Sequence, residues 1–212
     1  MSDATSVKSQ LMEAYNRKAA DRDGTPKAPW KVEERNSFLG MVTKRQFHSL
    51  LEIGCGTGHD SLYFKEHGLN VVCVDMSPAM IEFCRNKGLD ALVMDFANLT
   101  FPDESFDAVW ALNCLLHVPK AELSGVLAGI QRVLRPGGLF YMGVYGGHNS
   151  EGVWEDDDYK PKRFFSFFDE ETLTKTLAEF FTVVSFKTLP LSGDLDFQSV
   201  VMAKTSIPSA GQ

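Results

Sequence analysis

Cysteine, tryptophan and tyrosine are scarce in this chain, contributing four, three and five of 212 residues. The cysteines (Cys55, Cys73, Cys84 and Cys114) are scattered and form no C-x-x-C pair, which argues against a zinc site and against a disulfide framework. Three of them sit in apolar stretches, where cysteine serves as a small hydrophobe. No apolar run approaches the length of a membrane span, and the polar start Met1–Lys8 lacks the apolar core of a secretory signal. A reducing, cytoplasmic setting with no membrane partner is therefore the expectation. Positive charge is also short, with 21 Lys+Arg against 28 Asp+Glu and a formal net charge of −7. A polyphosphate partner needs a basic stripe, so nucleic acid is disfavoured. The deficit is uneven: residues 1–50 carry nine basic and six acidic side chains, residues 51–212 twelve and twenty-two. A solvated helical face accounts for the basic start, with an acidic partner as the alternative.

What is present is an ordinary globular composition, 44% apolar and 23% charged. A chain of this size can bury about 70% of its unfolded surface. Sixteen phenylalanines stand out, eight of them beyond position 160. Leu11, Met12, Tyr15 and Ala19 predict a first helix, and Val32, Phe38, Leu39, Val42 and Phe47 a second. From residue 48 short apolar runs alternate with helical patterns. Strands are expected at 49–53, 70–75, 91–94, 106–112 and 139–144. Helices are expected at about 59–67, from Ser77-Pro78 to Gly88, and through Leu123–Leu134. This rhythm predicts right-handed βαβ crossovers and a parallel sheet covered on both faces. A helix from Asp169 to about Glu179 and strands at 182–189 and 197–204 follow, the latter two joined by Leu191–Leu195 as an antiparallel hairpin. The expected organisation is one α/β domain over 1–212, comprising a helical cap (1–47), a cofactor-binding core (48–145) and an acceptor-side loop, helix and terminal β-hairpin (146–212).

Leu50-Leu-Glu-Ile-Gly-Cys-Gly-Thr-Gly-His59 ends the first strand in Gly54, Gly56 and Gly58. Glycines at a strand-to-helix turn let backbone approach a ligand and aim the helix N-terminus at it. The dinucleotide fingerprint needs a further glycine where His59 stands, and the Gly-Lys-Ser/Thr phosphate loop is absent. Glu52, Asp75 and Asp95 all fall at the carboxyl ends of parallel strands, the edge where such folds bind ligands. Three acids repel a pyrophosphate but suit a ligand with ribose hydroxyls, an amino group and a positive centre, a description that S-adenosylmethionine fits.

Leu-Glu-Ile-Gly-Cys-Gly-Thr-Gly (51–58), Val-Asp-Met-Ser-Pro-Ala-Met-Ile (74–81), Phe-Pro-Asp-Glu-Ser-Phe-Asp-Ala-Val (101–109) and Leu-Arg-Pro-Gly-Gly (134–138) occur in order. Through them residues 50–145 resemble class I S-adenosylmethionine-dependent methyltransferases, especially the small bacterial methyltransferase domains. The resemblance implies a doubly wound, mostly parallel seven-stranded Rossmann-like sheet with an antiparallel last strand. It implies that Glu52, Gly54, Gly56 and Gly58 hold the methionine end of the cofactor and Asp75 the ribose. Met76 would pack on the adenine, Asp95 and Phe96 flank its amino group, and Asn113 and Cys114 lie near the sulfonium. Tyr15 resembles the tyrosine of an N-terminal helix that closes over the cofactor, with Trp30 at its hinge.

The expected activity is methyl transfer to an O, N or C atom of a small molecule. A protein or tRNA methyltransferase, a non-catalytic S-adenosylmethionine-binding module and a nicotinamide-dependent oxidoreductase are the alternatives. His117, just past the fourth strand, is the candidate base, with a packing role as its alternative. Tyr145 and His148 are candidates for the acceptor pocket, as are one or two of the phenylalanines at 164–168. The acidic run 154–159 reads as a solvated loop or as a lid presenting Trp154 and Tyr159 to a cationic acceptor. No metal is expected, and monomer and homodimer stay open.

Overall fold

A computed structural model describes residues 3–191 and 195–205. Two helices lead, α1 (Asp3–Asp23) and α2 (Pro29–Lys44), with Pro29 in the first helical turn where its missing N–H costs nothing. The alternating part follows: β1 (Ser49–Ile53), α3 (His59–Glu66), β2 (Asn70–Asp75), α4 (Pro78–Asn86), β3 (Asp90–Val93), β4 (Phe106–Leu112), α5 (Lys120–Val133) and β5 (Leu134–Gly146). Then come β6 (Ser150–Val153), β7 (Phe164–Phe167), α6 (Glu170–Ala178), β8 (Thr182–Pro190) and β9 (Asp196–Ala203). Local chemistry sets several of these ends. Ser77 caps α4 by accepting from the Met80 N–H at 3.2 Å, and Asp169 caps α6 through the Thr172 N–H at 2.7 Å. Gly88 closes the turn after α4 with a φ of +73°.

Seven strands form one sheet in the order β3-β2-β1-β4-β5-β9-β8. The first five are parallel, and β9 lies antiparallel between β5 and β8. This is the doubly wound α/β architecture with an antiparallel last strand that the motifs implied, and β8 and β9 pair as the expected hairpin. Residues 192–194 of their connection lie outside the described residues. The chain leaves β3 at one edge and returns as β4 beside β1, so the switch in winding direction falls at the carboxyl ends of β1 and β4.

Side chains of β4 alternate between the sheet's faces. Val109 and Ala111 join Leu123, Leu127, Ile130 and Leu173 on the side of α5 and α6. Ala108 and Trp110 join Phe38, Val42 and Phe64 on the side of α2 and α3. Trp110 stacks on Tyr141 at 3.8 Å between ring centroids, with Phe38 at 5.3 Å from Trp110, which seats α2 on the sheet. Of the eight late phenylalanines, Phe165, Phe167, Phe168, Phe181 and Phe197 are buried. One element is absent from the sequence expectation: β6 and β7 pair antiparallel as a separate two-stranded sheet, so Phe164–Phe167 is a strand rather than a loop.

Candidate active site

Beyond β1 the backbone turns through Gly54, Gly56 and Gly58 at φ of +62°, +55° and +82° and enters α3. Gly54 is the tightest position: a Cβ there would fall 2.3 Å from the Cys114 Cβ. The Gly56 N–H donates to one oxygen of Asp75 and the Ser77 N–H to the other, each at 2.9 Å. Asp75 is thereby fixed, with a second lone pair on each oxygen still available. Burial raises its carboxyl above the usual range. Beneath the loop the thiols of Cys55, Cys73 and Cys84 converge to within 4.8 Å of one another, in an apolar cluster with Ile81 and Leu89. Cysteines scattered along the sequence thus form one buried group.

A cleft of about 40 Å³ opens above the loop. It is lined by Leu11, Tyr15, Gly54, Gly56, Asp75, Met76, Phe96, Asn113, Cys114 and His117. Asp95 borders an adjoining recess with Met76, Phe96 and His117. One of its oxygens accepts from the Lys8 ammonium at 3.0 Å, and the other from the Ala97 N–H at 2.9 Å, capping the short turn Phe96–Asn98. Glu52 and Gly58 are not on the cleft wall. Glu52 is buried under the loop and accepts from the Ser61 hydroxyl. Burial, and then the charge of Asp60, push its carboxyl well above the carboxylate range.

Asn113 follows β4 at a φ of +56°, a strained setting that asparagine tolerates better than most residues. Its backbone N–H donates to Gly143 at 2.8 Å, while its side-chain oxygen is buried without a partner among the described residues. A buried acceptor left unpaired at a cleft wall is a ready contact for a ligand donor or cationic centre.

His117 stands opposite. Its Nδ1 lies 2.7 Å from the Phe164 carbonyl, which can only accept, so Nδ1 carries the hydrogen. Nε2 then accepts from the Tyr15 hydroxyl at 2.7 Å. Burial pushes the ring down to about 3, so it is neutral at physiological pH. The Tyr15 oxygen in turn accepts from Arg163 at 3.1 Å. Arg163 forks onto Asp157 at 2.8 and 2.9 Å and covers the Tyr159 ring at 3.5 Å.

The acidic run is a largely exposed loop in which two of the acids are paired. Its Asp157 is bound by Arg163, its Glu155 is paired with Lys162 at 2.6 Å, and its Tyr159 packs against Tyr15. Trp154 and His148 border a separate cleft behind Phe165 and Phe167. Phe165 lies 4.7 Å from the His117 ring and 5.1 Å from Trp154, between the two. Tyr145 points elsewhere, its hydroxyl 3.1 Å from the Lys31 ammonium.

Two features have no counterpart in the sequence reading. Asp60, 3% exposed in the first turn of α3, accepts from Lys27 at 2.7 Å and from Arg35 and Trp110 at 3.2 Å. It ties the helical lead to the core. The second is a cleft of about 460 Å³ that shares Asn113 with the first and is lined by Lys18, Arg22, Lys27 and Lys31. Only the basic excess of residues 1–50 hinted at it.

A family profile described as "Methyltransferase domain" matches residues 51–142. A malonyl-[acyl-carrier protein] O-methyltransferase from Serratia marcescens is 31% identical, covering 62% of this chain and 51% of the relative. An S-adenosyl-L-methionine-dependent Diels–Alderase from Talaromyces variabilis is 40% identical, covering 53% and 40%. The chain thus spans about half or less of the length of these relatives. Among solved structures, the 1,6-didemethyltoxoflavin-N1-methyltransferase of Burkholderia thailandensis, with 1,6-didemethyltoxoflavin and S-adenosylhomocysteine bound, shares the fold. It superposes with a TM-score of 0.75 at 21% identity, covering 97% of this chain and 92% of that one. Residues 51–142 are thus similar in sequence to a methyltransferase domain, and the sheet topology is that of a solved methyltransferase.

Proposed function

We propose that the chain binds S-adenosylmethionine in the cleft above the glycine turn and directs its methyl group to a small-molecule acceptor. The observation that carries this reading is the pairing of a fixed Asp75, with lone pairs to spare, and an unpartnered Asn113 oxygen across one cleft. Asp75 suits a ribose diol, Met76 and Phe96 an adenine ring, and the Asn113 oxygen a cationic centre. When bound, the cofactor would supply a methyl carbon on a sulfonium, to which an acceptor lone pair would bond as the carbon–sulfur bond breaks and the sulfur leaves as a neutral thioether. Alignment of that kind supplies much of the rate in such displacements, of order 7–11 kcal/mol in favourable cases. Glu52 and Gly58 act from beneath the loop in this reading, Glu52 holding Ser61 and Gly58 making room for Cys84.

A ligand of nucleoside size needs a pocket of roughly 300 Å³ or more. Leu11 and Tyr15 must therefore move aside as it enters and close over it again, which makes the helical lead (1–47) a cover for the core (48–145). In this arrangement His117 orients Tyr15 rather than taking a proton, because its Nε2 is engaged and its neutral ring is a weak base. A second reading, that the bound cofactor supports a reaction other than methyl transfer, draws on the name of the Diels–Alderase relative.

Isothermal titration with S-adenosylhomocysteine tests the site. Asp75→Asn should weaken binding by about 1–3 kcal/mol with the fold intact. An unchanged dissociation constant would remove Asp75 from the site, and no binding to the native chain would end the proposal. Release of S-adenosylhomocysteine with an accepted substrate separates the first reading from the second.

A further inference from the structure

The cleft that meets the cofactor cleft at Asn113 has an unusual wall for an acidic protein. Four cations of the helical lead, Lys18, Arg22, Lys27 and Lys31, border it, against Asp21 and Asp158. Two of the four are neutralised: Lys18 pairs with Asp21 at 2.9 Å, and Lys27 with the buried Asp60 at 2.7 Å. Arg22 and Lys31 have no carboxylate within ion-pair distance among the described residues. Arg22 donates to the Tyr159 hydroxyl at 3.1 Å and sits over the Tyr15 ring at 5.4 Å. Lys31 donates to the Tyr145 hydroxyl at 3.1 Å, its ammonium 5.0 Å from the Trp30 ring and 5.4 Å from the Tyr145 ring. Aromatic faces orient a cation without cancelling its charge, so both remain available to an anion.

We propose that this second cleft is the acceptor site and that it takes a small molecule bearing a carboxylate or phosphate, held by Lys31 and Arg22 with its reacting atom toward Asn113. The proposal rests on the methyl-transfer reading above, since it is the shared Asn113 that joins the two clefts. At about 460 Å³ the cleft has the size of a site for a compact organic acid. The Tyr159 ring on the cleft wall suits an acceptor with a planar body. Charge also separates this cleft from the one behind Phe165, which among the described residues is bordered by Glu151, Glu155 and Asp156 and by no lysine or arginine. The unusual distribution of charge along the chain thereby acquires a use: the basic lead supplies the anion site that the acidic remainder cannot.

The test uses the full chain saturated with S-adenosylhomocysteine and titrated with four probes: 4-hydroxybenzoate, 4-hydroxybenzamide, 4-hydroxybenzylamine and inorganic phosphate. Binding is followed by calorimetry. The carboxylate should bind at least about ten-fold more tightly than the amide, and the amine more weakly still. Lys31→Met, which keeps the apolar stem, should cost the carboxylate about ten-fold or more, and Lys31→Arg should restore most of it. Affinity for S-adenosylhomocysteine should be the same in all three proteins. Tight binding of phosphate alone assigns the site to phosphorylated acceptors, and preference for the carboxylate assigns it to organic acids. Equal binding of amide and carboxylate, preference for the amine, no anion binding, or indifference to Lys31→Met would each overturn the proposal. If S-adenosylhomocysteine itself fails to bind, the methyl-transfer reading falls instead. The same titrations without it then decide whether the anion site stands alone.

Discussion

Replacing Gly54 by alanine perturbs the glycine turn in a way that geometry quantifies. The residue sits at a φ of +62°, where an L-residue pays about 1–2 kcal/mol. Its new Cβ would lie 2.3 Å from the Cys114 Cβ, whereas carbons rest at about 3.5–4.0 Å. The turn or the segment after β4 must therefore move by more than an ångström. Overpacking of this kind costs about 1–3 kcal/mol, so the sum is about 2–5 kcal/mol. Gly56→Ala is the control, because its φ is nearly the same, +55°, yet nothing lies within 4 Å of its Cβ. It should cost only the conformational share, about 1–2 kcal/mol. Urea unfolding of both variants measures the difference. Cys114→Gly in the Gly54→Ala background removes the clashing atom, so the double variant should be more stable than the two single effects sum to, by about 1 kcal/mol or more. Equal losses for Gly54→Ala and Gly56→Ala, or strict additivity in the cycle, would refute the claim that contact with Cys114 is what excludes a side chain at Gly54.

Other consequences follow from the buried polar groups. His117 titrates near 3 when folded, well below its unfolded value of about 6.5, so the unfolded chain binds the extra proton first. Its contribution leaves stability flat above pH 6.5 and lowers it as pH falls from there toward 3, by up to about 1.4 kcal/mol per unit. His117→Gln should flatten that part of a stability-against-pH profile, and an unaltered slope would show that the ring charges freely in the folded state. Tyr15→Phe strips the donor from His117 Nε2 and should cost about 1–3 kcal/mol in urea unfolding; a loss within error would mean the bond is not kept in solution. Asp60→Asn breaks a buried carboxylate away from Lys27 and Arg35 and should cost about 3–5 kcal/mol. Glu155→Gln, in an exposed pair with Lys162 that solvent screens, should leave stability unchanged within error. Thermal melts of the two variants would contradict this ranking if they coincided.

Much of the molecule is written in short-range pattern. Alternation of apolar runs and helical stripes led to the parallel sheet, because burial on both faces makes a strand a continuous apolar run. Ser77-Pro78 and Asp169 marked helix starts through capping chemistry that needs only neighbouring residues. The glycines and the acids at strand ends also declared themselves, since turns and strand termini are local events. Phe164–Phe167 was less legible: four residues with no polar alternation, buried at three positions, look like any apolar stretch until β6 is there to pair with them.

The sequence by itself determined the doubly wound sheet, the glycine turn and the edge at which a ligand is met, because period and turn chemistry act over a few residues. Only the tertiary structure decided which side chains share that edge. Tyr15 meets His117 across 102 residues and Arg163 across 148, and both contacts exist because α1 lies over the cleft and the segment after β6 folds back to it. Glu52 turned out to lie beneath the loop rather than on the cleft wall, since strand alternation pointed it toward Ser61. Lys27 and Lys31 sit beside Asn113 because Asp60 and the Trp110–Phe38 packing hold α2 and its lead-in, and Lys18 and Arg22 because Asn16 and Asp23 tie α1 to Ser77 and Lys87. Such meetings depend on how elements pack and not on their spacing along the chain, which is why charge composition hinted at a basic surface but not at its place.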